Sequence, residues 1–226
     1  MLSIQKYVCC FIVLCNLSIN FLCADAPKIN ALTQPDPLSK NIPKTMFYYV
    51  RHGQTDWNRD KKFQGTSDIP LNTQGREQAV QAGQVLLHCK PSMIFSSQLS
   101  RAKETAEIIK SQLNASQTIT ILEDLKERFG GVGEGQVVPP DFVLLKDQPA
   151  WFFQNAEPIN EFRERVVRGV LVALNFHGPV CLVSHGGVFR VLCQVLGIPI
   201  DKPATHAGVV RFVPTEQGWV MEQVAT

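Results

Sequence analysis

The chain has little net charge, few cysteines beyond its N-terminus and no second long apolar run. Its 22 Lys and Arg residues nearly balance 20 Asp and Glu residues, so no broad basic field exists to attract nucleic acid. Seven cysteines in 226 residues, four of them within the first 23, are too sparse for a miniprotein held together by disulfides. The lack of further long apolar runs excludes repeated membrane spans. What is present, 45% apolar and 19% charged residues, is typical of one globular domain with a buried core.

The N-terminal segment has the layout of a secretory signal peptide. A short start containing Lys6 precedes an uncharged, largely apolar run over 7–23, and small residues follow it. We predict a signal peptide over 1–24, cleaved after Ala24, and export to the periplasm or the medium. An uncleaved membrane anchor is the alternative, although this run of 17 residues is shorter than the roughly 20 that usually span a bilayer. A lipoprotein signal ending at Cys23 is a third possibility.

The segment that follows is predicted to be an extended linker. Residues 25–45 contain four prolines and no aromatic side chain, so they are poorly suited to regular structure or to burying surface. The folded domain is therefore predicted to cover 46–226.

Strand-like and helix-like segments alternate along this domain. The strand-like segments are 46–50, 92–96, 118–122, 179–184, 209–213 and 219–224, and the helix-like segments are 72–88, 100–113, 159–175 and 187–196. The alternation predicts an α/β fold, a three-layer sandwich with a mainly parallel sheet and helices on both faces. Ligands of such sheets bind beyond the carboxyl ends of the strands, and His52 and His185 each directly follow a predicted strand.

The chemistry of the residues near these strand ends favours phosphate. Arg51 and Arg101 supply guanidinium groups that match phosphate oxygens, and their charge would repel a metal ion from the histidine pair. We therefore predict no metal at this site. A neutral imidazole such as that of His52 is a competent nucleophile, His185 would help to neutralise the transferring group, and the carboxyl group of Glu127 would protonate the leaving oxygen.

Several ordered motifs resemble the histidine phosphatase superfamily, the phosphoglycerate mutase-like family. They are Arg-His-Gly-Gln-Thr-x-Trp-Asn over 51–58, Phe-Gln-Gly over 63–65, Asp-Ile-Pro-Leu-Asn over 68–72, Ser-x-Leu-x-Arg-Ala-x-x-Thr-Ala over 97–106 and Ser-His-Gly-Gly over 184–187. The resemblance covers residues 46 to about 213. It implies the fold predicted above and a phosphohistidine enzyme that needs neither a metal nor an organic cofactor.

The resemblance also implies a role for each motif residue. His52 would be phosphorylated on a ring nitrogen, and Glu127 would donate the proton and later activate water. Phosphate or substrate contacts are implied at Arg51, Asn58, Thr55, Gln64, Gly65, Arg101 and His185. Gly186, directly after His185, lets the backbone approach the ligand closely. Glu134 and Glu123 are alternative acids near Glu127.

The length of the chain favours the phosphatase branch of the family. Only 57 residues separate Glu127 from His185, whereas mutases carry a long insertion there. We predict hydrolysis of a small phosphorylated substrate, with a mutase or a non-catalytic phospholigand-binding protein as alternatives. Because the reaction needs a protonated carboxyl group and a cationic His185, an acidic optimum is expected.

Gly133 stands where many relatives have an aromatic residue, which predicts a wider or looser pocket mouth. His206 is given no role.

Overall fold

The computed structural model describes residues 36–113, 118–138, 152–200 and 203–224. Within these ranges six strands form one sheet: β1 (Phe47–Arg51), β2 (Met93–Ser96), β3 (Ile119–Ile121), β4 (Val180–Ser184), β5 (Val209–Thr215) and β6 (Gly218–Gln223). Their spatial order is β3-β2-β4-β1-β5-β6. The first four of these are mutually parallel, while β5 and β6 join by antiparallel pairing. The sheet is thus mainly parallel, as predicted.

The central strand β1 shows why the fold has three layers. Its side chains are buried on both faces, because Phe47 and Tyr49 belong to one apolar cluster and Tyr48 and Val50 to the other. Successive residues of a strand point to opposite faces, so an apolar run such as this one requires cover on both sides.

Helices provide that cover. They are α1 (Asp56–Arg59), α2 (Thr73–Cys89), α3 (Ser100–Gln112), α4 (Ile159–Leu174) and α5 (Gly186–Val195). Buried side chains of α2 and α3 pack with Tyr48 and Val50, and those of α4 and α5 pack with Phe47 and Tyr49. The predicted three-layer sandwich is confirmed. None of the helices in the described ranges is long and apolar enough to cross a bilayer.

Residues 36–45 differ from the extended linker predicted over 25–45. Pro37–Asn41 form a 3-10 helix, and the side chain of Asp36 caps it by accepting a hydrogen bond from the Leu38 amide at 2.9 Å. Asp36 also forms a salt bridge with Arg163 of α4, and Ile42 is only 6% exposed within the core. Proline at the first helical positions favours this turn rather than preventing it. Residues 25–35 and the predicted signal peptide over 1–24 lie outside the described residues.

The carboxyl ends of the parallel strands bring three polar residues together. The backbone amide of His52, after β1, donates to the carbonyl of Ser184 at 2.8 Å, and that of Ser97, after β2, donates to the carbonyl of Val183 at 3.1 Å. His185 follows β4 directly. These main-chain bonds place the three side chains at one edge of the sheet.

Candidate active site

Two buried imidazoles form the centre of this edge. The rings of His52 and His185 have centroids 5.2 Å apart, and the residues are 3% and 0% exposed. The Nδ1 atom of His52 lies 2.7 Å from the carbonyl oxygen of Gly53. Since a carbonyl only accepts, Nδ1 carries the proton and Nε2 keeps its lone pair. His52 therefore has the tautomer that a nitrogen nucleophile requires.

His185 is held from two sides. Its Nε2 atom lies 2.8 Å from the Ser97 hydroxyl, and its backbone carbonyl accepts a hydrogen bond from the buried Tyr49 hydroxyl at 2.6 Å. The remaining ring nitrogen, Nδ1, is buried. The ring orientation is thus fixed with one nitrogen left to meet a ligand.

Two guanidinium groups are anchored by carbonyl groups of neighbouring loops. Arg101 is fully buried, and its Nη atoms donate to the carbonyls of Ser67 and Gly65, both at 2.8 Å. Arg51 donates from Nη1 to the carbonyl of Ala204 at 3.0 Å. Each guanidinium keeps further N–H groups that these carbonyls do not use.

Three buried nitrogen atoms of these side chains have no hydrogen-bond partner among the described residues. They are Nε of Arg51, Nε of Arg101 and Nδ1 of His185. Leaving a buried polar atom without a partner costs about 1–3 kcal/mol, so each of these three atoms would gain from a hydrogen bond to a bound group. An anion with several oxygens, such as a phosphoryl group, would satisfy all three.

His52, Arg51 and Arg101 border a cavity of about 200 Å³, whereas His185 is not among the described residues that line it. Its wall contains predicted site residues: Arg51, His52, Asn58, Gln64, Gly65, Arg101, Glu127 and Gly186. The Glu127 carboxylate accepts hydrogen bonds from the amides of Gly187 and Arg128, both at 2.9 Å. A Cβ atom on Gly187 would lie 2.2 Å from a Glu127 oxygen, so this approach requires glycine. The structure therefore brings an acid and a nucleophile to one cavity.

Burial shapes the charge of the site. Burial first, and the nearby Arg101 second, hold the pKa of His52 and of His185 well below the usual 6.5. Burial also lowers the pKa of Arg101, to about 10, which leaves this side chain charged at neutral pH. Both imidazoles are therefore neutral in the ligand-free protein. The cationic His185 on which the acidic optimum depends belongs to the reacting, phosphate-bound state, so it stays a prediction.

Thr55 lies behind the cavity rather than on its wall. Its hydroxyl accepts a hydrogen bond from the Asn58 amide at 3.2 Å, which caps α1. The same oxygen lies 2.9 Å from Oε1 of Gln64 and 3.1 Å from Oδ1 of Asn58. Thr55 thus orients two residues of the wall instead of touching a ligand itself.

The alternative acids have other partners. The Glu134 carboxylate accepts hydrogen bonds from the amides and hydroxyls of Thr66 and Ser67 and from the Gly130 amide. Glu123 is exposed and forms a salt bridge with Lys126 at 3.2 Å. Among the described residues, Glu127 is the acidic side chain that lines the cavity.

The glycine at 133 does not open the pocket mouth. A Cβ atom there would lie 2.5 Å from the ring of Phe152, so this ring occupies the space where a side chain would begin. Phe152 in turn packs edge-on against Phe63, which lines the cavity, with ring centroids 5.7 Å apart. The predicted widening is therefore wrong, because an aromatic ring from a distant position takes up the space.

Sequence reasoning missed three cations and one hydrogen-bond partner. Lys61, Lys62 and Arg190 also line the cavity, and Ser97 holds His185. The lysines directly precede the Phe-Gln-Gly motif, and Arg190 lies one turn beyond the glycines that open α5. Helical periodicity applied to α5 would have indicated Arg190. The ring centroid of His206, which was given no role, lies 6.1 Å from that of His52.

The chain is similar to known proteins along most of its length. The family model of the histidine phosphatase superfamily (branch 1) matches residues 47–226. An uncharacterized phosphatase, PhoE, of Bacillus subtilis is 38% identical over 146 residues, which is 63% of this chain and 72% of that protein. A probable phosphoglycerate mutase, GpmB, of Salmonella arizonae is 33% identical over 166 residues, 67% of this chain and 75% of that protein. The solved structure of a mycobacterial glucosyl-3-phosphoglycerate phosphatase with VO3 has a TM-score of 0.65 and 25% identity, covering 78% of this chain and 97% of its own.

Proposed function

The chain belongs to the histidine phosphatase superfamily, and from that premise we propose that it hydrolyses small phosphomonoesters through a phosphohistidine at His52. The observation that carries this proposal is the environment of the His52 ring. Its Nδ1 proton is fixed by the Gly53 carbonyl at 2.7 Å, and the unpartnered nitrogen atoms of Arg51, Arg101 and His185 belong to the groups around it. A neutral nucleophile beside unsatisfied donors is suited to phosphoryl transfer.

In the first step, Nε2 of His52 attacks the phosphorus atom and the bond to the ester oxygen breaks. The electron pair of that bond stays on the leaving oxygen, which takes a proton from the Glu127 carboxyl group. The N–H groups of Arg51, Arg101 and His185 stabilise the charge on the equatorial oxygens. The products are an alcohol and phosphohistidine.

In the second step, water replaces the alcohol. The Glu127 carboxylate takes a proton from this water, whose oxygen attacks phosphorus while the phosphorus–nitrogen bond breaks. The electron pair returns to Nε2 of His52, and inorganic phosphate leaves. Glu127 therefore acts first as an acid and then as a base. The cycle uses side chains of this chain alone.

One feature indicates a small substrate, and another favours hydrolysis over mutase activity. The cavity of about 200 Å³ is smaller than the roughly 300–1,000 Å³ of sites for drug-sized ligands, which indicates a compact substrate. The interval of 57 residues between Glu127 and His185 already contains α4 and β4. A mutase would instead isomerise a phosphorylated substrate and depend on a bisphosphate primer.

Trapping of the intermediate tests the proposal. Full-length protein mixed with a radiolabelled phosphomonoester and quenched in alkali should carry an acid-labile label on His52 and release inorganic phosphate. The His52→Ala variant should show neither, with kcat reduced by about 10⁴-fold or more. Phosphate binding without label or hydrolysis would favour a non-catalytic binding protein, and primer-dependent isomerisation would favour a mutase.

The role of Glu127 is tested with two leaving groups. Glu127→Gln should lower kcat/KM, which reports the first step, about 10²- to 10⁴-fold for an alkyl phosphate but much less for nitrophenyl phosphate, whose leaving group needs no proton. Glu134→Gln is the matched control, because this carboxylate is occupied by backbone and hydroxyl donors. Its effect should be the same for both substrates. A leaving-group dependence in Glu134→Gln alone would transfer the acid role to Glu134.

We also propose that the protein is exported, with residues 1–24 as a cleaved signal peptide. Expression of the full chain in a secreting bacterium should yield exported protein whose first residue is Asp25. An intact N-terminus retained with the membrane would support an uncleaved anchor instead.

A further inference from the structure

The loop that carries the proposed acid is bonded through its main chain to side chains of other elements. Four successive carbonyls, those of residues 124–127, each accept a hydrogen bond from a side chain. The Ser184 hydroxyl, at the end of β4, donates to the Leu125 carbonyl at 2.7 Å. Arg165 of α4 donates to the other three carbonyls at 2.7–2.9 Å. The main chain around Glu127 is thus fixed by direct bonds to the fold.

Arg165 uses all five of its N–H groups on the protein. Nη1 donates to the carbonyls of Asp124 and Lys126. Nη2 donates to the Glu127 carbonyl and to Oε2 of Glu157, and Nε donates to Oε1 of Glu157. The two bonds to Glu157 measure 2.6 and 2.7 Å, and the Arg165 side chain is only 8% exposed. The guanidinium group therefore has a defined place and orientation.

This complete set of partners separates Arg165 from the two arginines of the cavity. Arg51 and Arg101 each keep a buried Nε atom without a partner among the described residues, as suits an arginine that binds a ligand. Arg165 has no N–H group left to donate, and it is not among the described residues that line the cavity. Its effect on the reaction must therefore pass through the loop that it bonds.

Stability alone does not explain a buried ion pair at this place. Removing two charges from water costs about as much as their attraction returns, and apolar side chains of similar volume often stabilise a fold equally well. An apolar side chain could not bond three carbonyls. Glu157 bonds the same loop through its main chain, because its amide donates to the Phe129 carbonyl at 3.0 Å and its carbonyl accepts from Nε of Arg128 at 2.8 Å. The pair thus gives the loop a defined position.

The position of the loop decides where the Glu127 carboxyl group reaches. This carboxylate accepts hydrogen bonds from the amides of Gly187 and Arg128, whereas the Glu127 carbonyl accepts from Arg165 at 2.9 Å. A proton donor has to lie within about 3 Å of the leaving oxygen, and a displacement of about 1 Å can lower a rate about 10²-fold. A small movement of this loop would therefore remove the acid from the reaction.

We infer that Arg165 and its counter-ion Glu157 are positioning residues, which fix the loop over 124–129 so that the Glu127 carboxyl group reaches the leaving oxygen. This inference rests on the proposed phosphatase function and adds two residues that do not touch the substrate. The low pKa of His185 comes mainly from burial, with a smaller part from nearby charges that include Arg165. A lysine keeps that charge but offers one nitrogen in place of three, so Arg165→Lys isolates the geometric role.

Two leaving groups distinguish a positioning role from a purely structural one. Arg165→Lys should lower kcat/KM about ten- to hundredfold for an alkyl phosphate and less than about threefold for nitrophenyl phosphate, whose leaving group needs no proton. Equal losses for the two esters, or no loss for either, would overturn the inference.

Arg168→Lys is the matched control on the same helix. The Arg168 side chain is 60% exposed and bonds the carboxylate of Asp124 at 3.2 Å rather than a carbonyl of the loop. An exposed ion pair of this kind contributes little, so neither ester should change in kcat/KM by more than about twofold.

Glu157→Gln tests the same position without altering the guanidinium group. The amide keeps the size of the side chain but no longer offers two charged oxygens to Arg165. We expect kcat/KM to fall about three- to tenfold for the alkyl phosphate and to change less than about twofold for nitrophenyl phosphate. Circular dichroism and thermal unfolding show which variants are folded, and this variant decides the inference if Arg165→Lys is not.

Hydrogen exchange gives a measurement that needs no substrate. The Gly187 amide donates to the Glu127 carboxylate, so displacement of the loop would free it. In Arg165→Lys, exchange at Gly187 should become about tenfold faster or more. Exchange of the His52 amide, which donates to the Ser184 carbonyl, should stay the same.

The possible failures of the two proposals are distinct. If Glu127→Gln shows no leaving-group dependence, Glu127 is not the acid and the positioning inference fails, while labelling of His52 keeps the phosphatase. If no ester is hydrolysed or labels His52, the phosphatase proposal fails, and hydrogen exchange decides whether Arg165 holds the loop. Faster exchange at Gly187 supports that role, and unchanged exchange overturns it.

Discussion

The two sides of the cavity are built in different ways. On the side of the reacting phosphorus, His52, Arg101 and His185 are each 3% exposed or less and are hydrogen-bonded to carbonyls or a hydroxyl of the fold. On the substrate side, Lys61 is exposed and Arg190 half-buried, and their charges have no salt bridge among the described residues. The side of the reacting phosphorus holds its groups in a fixed geometry, whereas the substrate side supplies charged groups that are less constrained.

This difference follows from what each side must do. Stabilising a transition state requires donors that are already in place, because any reorganisation adds to the barrier. Attraction of a charged substrate tolerates long, mobile side chains, because attraction between charges acts over several ångströms. The ends of parallel strands supply the rigid side, and a loop and a helix face supply the adaptable one.

The largest expected effect comes from replacing arginine by lysine on the side of the reacting phosphorus, compared with replacing lysine by arginine on the substrate side. Arg101→Lys keeps the charge but removes the planar group that donates to the carbonyls of Ser67 and Gly65. We expect kcat/KM to fall about 10²- to 10³-fold, because lysine cannot bond the carbonyls and the phosphoryl group at once. Lys62→Arg, the matched exchange on the substrate side, should change kcat/KM less than about threefold. Steady-state kinetics with one ester measures both.

An equally large loss in both variants would show that the substrate side also needs fixed geometry. Circular dichroism and thermal unfolding of Arg101→Lys serve as the control, because this residue is fully buried and bonds two loops. If Arg101→Lys is folded and as active as the unsubstituted protein, the guanidinium group of Arg101 is not part of the rigid side.

The sequence predicted the rigid side far better than the adaptable one. His52 and His185 directly follow apolar strands, so their meeting at one sheet edge follows from the rule for parallel sheets. Their neighbours Arg51 and Arg101 belong to ordered motifs. Strand and helix positions were predicted within a few residues, because both faces of the sheet require apolar patterns with clear periods.

Other features depend on contacts that local sequence does not contain. The 3-10 helix at Pro37–Asn41 is held by Asp36, which pairs with Arg163 far along the chain. Phe152 reaches the space beside Gly133 from a distant segment. Lysines in a loop are usually solvated surface charges, so nothing local distinguished Lys61 and Lys62 from that ordinary case.

A smaller effect is expected on stability, and it belongs to the rigid side. His52, His185 and His206 all have pKa values lowered by burial, that of His206 to about 3. Below pH 6.5 the unfolded chain therefore binds protons that the folded protein does not, so stability falls as pH falls. His206 alone should lower the free energy of unfolding by up to about 2 kcal/mol between pH 7 and pH 5.

Urea unfolding at both pH values measures this loss. Between pH 7 and pH 5, His206→Gln should lose less free energy of unfolding than the unsubstituted protein. The difference should equal the contribution of the His206 ring, up to about 2 kcal/mol. A free energy of unfolding that is the same at both pH values would mean that water reaches these imidazoles and that burial does not lower their pKa values.

The smallest effect concerns the proton on His185. The Ser97 hydroxyl accepts a hydrogen bond from the Leu99 amide at 3.3 Å, so it can donate its own hydrogen to Nε2 of His185 at 2.8 Å. The proton of His185 therefore stays on Nδ1, which can donate a hydrogen bond to a phosphoryl oxygen. Ser97→Ala should lower kcat about tenfold and shift the His185 nitrogen NMR signals toward the other tautomer, and Ser97→Thr should restore both. Ser100→Ala removes a buried hydroxyl that has no partner within the described ranges, and it should change neither. An unchanged tautomer in Ser97→Ala would make the role of this hydroxyl purely structural.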